Sequence, residues 1–97
     1  MKEREQNDGV GDELTVAGIK FKIAEKNPDA IRIYTPKELS RSQLRSVTKE
    51  LMNQYGTIQF ATDAKHERGE EYAFFNGLTF IDFDTDEIMD GKKFLNN

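Results

Sequence analysis

The feature that most constrains the fold of this chain is the strict alternation of apolar and charged residues in IKFKIAE, residues 19 to 25. Every second residue from Ile19 to Ile23 is apolar, and lysines stand between them. This spacing is the period of a β-strand with one buried face and one solvated face. The run therefore predicts a half-buried strand.

Further strand signals lie on both sides of this run. The preceding ELTVAG, residues 13 to 18, continues the alternation and ends in Ala17-Gly18, which predicts a first hairpin. KNPDA, residues 26 to 30, predicts a turn, because Pro28 fixes its own φ and disfavours the helical region for the residue before it. IRIY, residues 31 to 34, then predicts a third strand.

Two helix-start signals precede one amphipathic segment. TPKE, residues 35 to 38, and SRSQ, residues 40 to 43, both have the spacing of a capping box. We interpret residues 36 to 39 as a short turn that bends into a main helix beginning at Arg41, and we expect Gly56 to form a left-handed cap after it. The apolar stripe of this helix consists of Leu44, Val47, Leu51 and Tyr55.

The second half of the chain predicts further strands. TIQFAT, residues 57 to 62, alternates again, whereas residues 63 to 70 are polar and predict a loop. Asn76-Gly77 lies between two aromatic-rich runs and predicts a hairpin with a type I′ turn. TDEIMDG, residues 85 to 91, is interpreted as one helical turn capped by Thr85.

We therefore expect an α+β domain in the order β-β-β-α-β-β-β, with room for a short C-terminal helical turn. One amphipathic helix of about fifteen residues would pack on an antiparallel sheet of five or six short strands. Residues 1 to 12 are interpreted as a disordered leader and residues 13 to 97 as a single domain. The predicted core consists of Ile19, Phe21, Ile23, Ile31, Ile33, Leu44, Val47, Leu51, Ile58, Phe60, Phe74, Leu78 and Phe80.

Composition argues against several classes of function. The chain has no cysteine, which excludes disulfides and zinc-thiolate sites and favours a reducing, cytoplasmic compartment. DFDTDEIMDG departs from a calcium loop because Glu87 stands where the turn needs glycine and Lys93 where a bidentate glutamate is needed, so we predict no metal site and no cofactor. The single histidine, His66, lies in the polar loop without a recognisable nucleophile motif, and we expect no enzyme.

Charge is distributed unevenly along the chain. Residues 20 to 49 contain eight basic and three acidic residues, a balance of +5, whereas residues 50 to 97 contain four basic and ten acidic residues, a balance of −6. Such opposed blocks suit electrostatically steered docking. The basic candidate surface consists of Lys20, Lys22, Arg32, Arg41, Arg45 and Lys49, and the acidic candidate surface consists of Asp82, Asp84, Asp86, Glu87 and Asp90.

Three hypotheses of function follow. The first is a non-catalytic protein-binding module, an adaptor, regulator or inhibitor that docks on another macromolecule; in style the chain resembles accessory proteins of bacteria or phages, although no motif names a family. The second is a nucleic-acid-binding module that uses the basic surface. The third is an acidic mimic of nucleic acid that inhibits a DNA-binding enzyme. An exposed hairpin edge can pair with another copy of the chain, so a homodimer is a further possibility. No membrane partner is expected.

Overall fold

The computed structural model describes residues 12–36, 38–62 and 71–96. These residues form a seven-stranded sheet whose strands lie side by side in the order of the sequence. Each strand is therefore hydrogen-bonded to the strand that precedes or follows it in the sequence. The strands are β1 (Glu13–Val16), β2 (Ile19–Lys26), β3 (Ala30–Thr35), β4 (Thr57–Thr62), β5 (Glu71–Phe75), β6 (Thr79–Asp82) and β7 (Glu87–Asp90), and the helices are α1 (Arg41–Leu51) and α2 (Gly91–Asn96).

The α+β class is confirmed, and three details of the prediction are wrong. The sheet has seven strands rather than five or six, and a second helix follows the last strand. The pair β3 and β4 is parallel, whereas the other neighbouring pairs are antiparallel. The parallel pair arises because α1 carries the chain back to the end of the sheet where β3 began.

The first three strands follow the sequence prediction closely. Ala17 and Gly18 both have positive φ, at 52° and 79°, which is the backbone of a tight two-residue hairpin turn. In the next turn the side-chain oxygen Oδ1 of Asn27 accepts hydrogen bonds from the backbone N–H groups of Asp29 and Ala30, both at 2.9 Å. Both turns are thus set by local chemistry.

The aromatic hairpin forms, but its turn lies one residue later than predicted. Gly77 has a φ of 88°, whereas Asn76 does not have positive φ, so the turn is centred on Gly77-Leu78 and not on Asn76-Gly77. Asn76 Oδ1 instead accepts from the N–H groups of Leu78 and Thr79. Moving a two-residue turn by one position shifts the pairing of its strands by two residues, from Phe75 opposite Leu78 to Phe75 opposite Phe80. Phe75 therefore faces Phe80 across the pair and is buried.

The main helix begins where the second start signal predicts. Ser40 caps α1, and its side chain and that of Gln43 form a complete capping box. The first start signal begins no helix at Pro36, Glu38 or Leu39, which correspond to the predicted short turn. The helix is 11 residues long, and Gly56 lacks the positive φ of a left-handed cap. Its N–H instead donates to the carbonyl of Asp29 at 2.9 Å.

The C-terminal segment differs from the prediction of a helical turn capped by Thr85. Residues 87 to 90 form β7, and α2 begins directly after it. Asp90 Oδ1 accepts from the N–H groups of Lys92 and Lys93, at 2.8 and 3.3 Å, and so satisfies two donors at the start of α2. Pairing with β6 therefore decides a segment whose local sequence is ambiguous.

The two helices lie on the same face of the sheet and leave the other face uncovered by any described element. Ten of the thirteen predicted core residues are buried. Ile19 is only partly buried, Phe74 lies on the uncovered face, and Leu78 in the hairpin turn is 79% exposed. The remaining buried apolar residues are Val16, Tyr55, Ala61, Tyr72, Ala73, Phe75, Phe94 and Leu95. Neither described helix is long and apolar enough to cross a membrane.

Residues 1 to 11 of the predicted leader, and His66 with the predicted loop 63–70, lie outside the described residues.

Candidate functional site

The candidate site is the face of the sheet that no described helix covers, which we call the open face. A row of side chains crosses it from β2 to β7, because each member is the cross-strand partner of the next. Partners directly opposite each other point to the same side of a sheet. In order across the sheet, the row consists of Glu25, Arg32, Gln59, Phe74, Ile81 and Ile88.

One half of this row is apolar. Phe74 and Ile81 are half-buried and are direct partners, and Ile88 on the neighbouring strand is 69% exposed. We call these three residues the apolar end. Phe83, in the turn after β6, is a further exposed aromatic residue, with 44% of its surface accessible. Large apolar side chains that adjoin one another on a surface, rather than occurring singly, mark binding sites.

The other half of the row is polar and internally paired. The Arg32 guanidinium donates through Nη2 to Glu71 at 2.8 Å and through Nε to Gln59 at 3.3 Å. Both charged side chains are partly exposed, so the ion pair contributes little stability. Together the two hydrogen bonds hold the Arg32 guanidinium beside Gln59 and Glu71 on the open face. Lys22 and Tyr34 are cross-strand partners in the adjacent row of the same face.

The structure does not bring the six basic candidates onto one surface. Lys20, Lys22 and Arg32 lie on the open face, whereas Arg41, Arg45 and Lys49 lie on α1 behind the sheet. Two of the helical residues serve packing inside the domain. Arg41 forms ion pairs with Glu87 and, at 3.9 Å, with Asp82. Arg45 Nε donates to the carbonyl of Phe94 at 2.9 Å, and its guanidinium lies 5.6 Å from the centre of the Phe94 ring.

The five acidic candidates do cluster, since all lie between the end of β6 and the end of β7, but several of them hold the fold. Asp82 is nearly buried, and its Oδ1 accepts from the N–H groups of Asp84 and Thr85 at 3.0 and 3.3 Å. Glu87 pairs with Arg41, and Asp90 caps α2. Asp84 and Asp86 lie in the exposed turn between the two strands.

A buried pair of hydroxyl groups links the end of β3 to β5. The hydroxyls of Tyr72 and Thr35 are 3.4 Å apart and buried. Burial raises the pKa of the Tyr72 phenol to about 12, so this group is neutral near pH 7. Desolvation, with the nearby carboxylates of Asp84 and Asp82, raises the pKa of Glu38 above its ordinary value. Within residues 12–36, 38–62 and 71–96, no cluster of three or more histidine or acidic side chains could hold a metal ion.

Two shallow grooves lie near the β2–β3 turn, at the opposite end of the sheet. One, of about 180 Å³, is lined on the open-face side by Glu25, Arg32 and Gln59. The other, of about 330 Å³, lies between the turn and the end of α1, with Asn27, Pro28 and Tyr55 in its wall. Gln59 in the wall of the first groove is the cross-strand partner of Phe74, so this groove borders the apolar end, whereas the lining of the second includes no residue of the row. They give no reason to move the candidate site from the open face.

Sequence reasoning missed the apolar end. Phe74 was expected in the core, and Ile88 was expected in a helical turn. Phe80 and Ile81 are consecutive apolar residues, which point to opposite faces of a strand. This pattern indicates that β6 has apolar side chains on both faces, and it is the signal that could have revealed the apolar end. Comparison of the chain with protein-family models, curated proteins and solved structures finds no match.

Proposed function

We propose that this chain is a non-catalytic protein-binding module that docks on another protein through the open face of its sheet. The observation that carries the proposal is the apolar end: Phe74, Ile81 and Ile88 lie side by side on a face that no described element covers. Aromatic and large aliphatic side chains dominate the energy of protein interfaces when water is excluded from them. Such a module acts by occupying a surface of its partner, as an adaptor, regulator or inhibitor does.

The polar half of the open face supports the same reading. Arg32 and Glu71 supply donors and acceptors on one side of the apolar end, as polar groups do at the rim of an interface. Lysines at positions 20 and 22 add positive charge at one border, and the acidic β6–β7 turn adds negative charge near the other. Opposed charges at the two borders would orient an approaching partner.

A photo-crosslinking experiment tests this function. A photoreactive phenylalanine analogue placed at Ile88 should crosslink the purified protein to a protein in host lysate, with or without nuclease and at low or high salt. The matched control is the same analogue at Met52, which is 43% exposed on the opposite side of the molecule. Equal crosslinking from both positions, or crosslinks only to nucleic acid, would refute the proposal.

A second candidate function, binding of single-stranded nucleic acid, rests on a different part of the open face. Tyr34 is the cross-strand partner of Lys22, and Arg32 lies two residues earlier on the strand of Tyr34. Aromatic rings with adjacent cations on a sheet are a platform on which bases stack. The net charge of −4 opposes this candidate.

Fluorescence anisotropy with a labelled single-stranded oligonucleotide tests the second candidate. Binding should weaken steeply as salt rises, and Tyr34→Ala should reduce it more than Tyr55→Phe does. An affinity that is undetectable at low salt rejects nucleic-acid binding. The acidic-mimic hypothesis stays a prediction, and no contact favours it, because Asp82 and Asp90 already fix a turn and a helix start.

A further inference from the structure

The last strand, β7, forms one edge of the sheet. It pairs with β6 on one side, and no described strand lies on its other side. The helix that follows does not cover this edge, because α2 turns back onto the helical face, where Phe94 stacks on Phe80. An unprotected edge presents a row of backbone donors and acceptors to which another chain can pair.

The hydrogen-bond pattern identifies which backbone groups point outward. Gly91 donates its N–H to the carbonyl of Leu78 at 2.8 Å, so residue 91 faces β6. In an antiparallel ladder successive residues direct their N–H and C=O groups to alternate sides. Met89 and Glu87 therefore also bond towards β6, and the N–H and C=O groups of Ile88 and Asp90 point away from the sheet.

The side chains of this edge have a definite pattern. Ile88 is 69% exposed, and Met89 behind it is partly buried against the core. These two apolar residues are flanked by two acids, Glu87 and Asp90, both exposed. Inside the domain Glu87 pairs with Arg41 through Oε1 and Asp90 caps α2 through Oδ1, so a basic partner would pair with the other oxygen of each carboxylate. The four consecutive side chains of this edge are thus acidic, apolar, apolar and acidic.

We propose that the β7 edge binds an extended segment of a partner protein with the pattern basic, apolar, apolar, basic, which adds to the sheet as an eighth strand. This inference rests on the proposed function as a protein-binding module and names the chemistry of its partner. Basic residues would lie opposite Glu87 and Asp90, and apolar residues opposite Ile88 and Met89. The pattern is the same read in either direction, so it suits a parallel or an antiparallel strand. Strand addition gains affinity from the main chain and specificity from alternate side chains.

A second copy of this chain is a poorer occupant of the same edge. In a two-fold antiparallel pair centred on Ile88, Glu87 of each copy would face Met89 of the other, an acid opposite an apolar residue. Centred on Glu87 the pair would oppose two glutamates, and centred on Met89 it would set Ile88 against Asp90. Like charges directly opposite each other destabilise a strand pair. None of these three registers places a basic residue opposite Glu87 or Asp90, as a basic segment would.

Peptide binding and backbone amide hydrogen exchange, both measured with the full chain, test the inference. The probe is a fluorescein-labelled, terminally blocked peptide GTKVVRTG, and its control is GTEVVETG. We expect the basic peptide to bind at least about tenfold more tightly than the acidic one. On binding, the amides of Ile88 and Asp90 should become protected from hydrogen exchange, whereas those of Glu87 and Met89 should change little, because they already bond to β6.

A proline variant with a matched partner completes the test. Ile88→Pro removes an outward N–H without breaking a bond to β6, and Thr15→Pro is the equivalent change on the opposite edge, since its N–H also points outward. We expect Ile88→Pro to weaken the basic peptide about tenfold or more and Thr15→Pro to leave it unchanged. Thermal unfolding of both variants establishes that they fold.

The possible failures are distinguishable. If neither peptide protects Ile88 and Asp90 while the crosslink from Ile88 to a host protein persists, the strand-addition inference is wrong and the proposed function stands. If both peptides bind equally, the inferred basic chemistry is wrong. Loss of the specific crosslink as well would refute the proposed function itself.

Discussion

The rings of Phe80 and Phe94 stack face to face, with centroids 3.7 Å apart and planes inclined by 1°. Phe80 lies on β6 and Phe94 on the short C-terminal helix, and both rings are fully buried. This contact joins the six-residue helix α2 to the centre of the core. It explains how a helix too short to be stable alone holds its place.

Phe94→Ala should therefore destabilise the domain by about 3 to 5 kcal/mol, because it empties a buried aromatic site and exposes the ring of Phe80. Urea unfolding followed by circular dichroism measures the change. Leu78→Ala is the control, since Leu78 is 79% exposed and its loss should cost less than about 0.5 kcal/mol. Similar losses in the two variants would show that α2 does not belong to the cooperative core.

The sequence predicted those elements whose signals are local. The alternation around Phe21, the turn at Asn27 and the capping box at Ser40 each involve residues within a few positions of one another, and all three appear in the structure. Nothing distant competes with them. The candidate site was predicted only in part, because its members come from strands far apart in the chain.

The errors arise where tertiary pairing decides. The hairpin turn was predicted at Asn76-Gly77 and forms at Gly77-Leu78. The later position pairs Phe75 with Phe80, and both of these rings are buried. Arg41 and Arg45 were assigned to the basic candidate surface, because the sequence does not show that β7 and α2 pack beside this part of α1. No property of a single segment contains this information.

The ion pairs of Arg41 predict a measurable coupling between α1 and the last two strands. Arg41 contacts Glu87 and Asp82, and its guanidinium lies 6.0 Å from the centre of the Phe80 ring. Arg41→Met should cost about 1 to 2 kcal/mol, less than for a fully buried pair because the side chain is one-third exposed. Equilibrium unfolding in urea at low salt provides the value.

Lys49→Met is the matched control for that variant, because Lys49 is an exposed cation on the same helix. Its change should stay within about 0.5 kcal/mol. A double-mutant cycle with Glu87→Gln then isolates the interaction of Arg41 with Glu87. A coupling energy of zero would mean that Arg41 stabilises the domain only through its contact with Phe80 and Asp82.

The buried phenol of Tyr72 predicts a loss of stability in alkali. Its pKa rises from 10.0 to about 12 on folding, so the folded state holds the proton more tightly than the unfolded state. The resulting stability is fully present below pH 10 and is lost as the pH rises through about 12. Two pKa units correspond to about 3 kcal/mol.

Thermal unfolding between pH 8 and pH 11.5 measures this effect. The wild type should lose stability above pH 10 more steeply than Tyr72→Phe, which keeps the ring and has no proton to lose. Tyr34→Phe, on the open face, should keep the wild-type slope. If Tyr72→Phe follows the wild type throughout, ionisation of other groups governs the alkaline transition.

Close packing at the start of α2 predicts that a side chain at Gly91 destabilises the fold. A Cβ atom at this position would lie 3.0 Å from the carbonyl oxygen of Gly77 and 3.1 Å from the carbonyl carbon of Leu78, both in the backbone of the β5–β6 turn. Backbone atoms cannot move aside as a flexible side chain can, so the turn or the helix must shift. Gly91→Ala should cost about 1 to 3 kcal/mol.

Gly56→Ala is the comparison that separates crowding from the general effect of replacing glycine. The nearest atom to a Cβ at Gly56 is the carbonyl oxygen of Asp29 at 3.9 Å, an ordinary contact. Because Gly56 has no positive φ, alanine there should be neutral or stabilise the fold by up to about 1 kcal/mol through the unfolded state. Equal destabilisation at both positions, measured by urea unfolding, would mean that the contact between α2 and the Gly77 turn is looser than the structure has it.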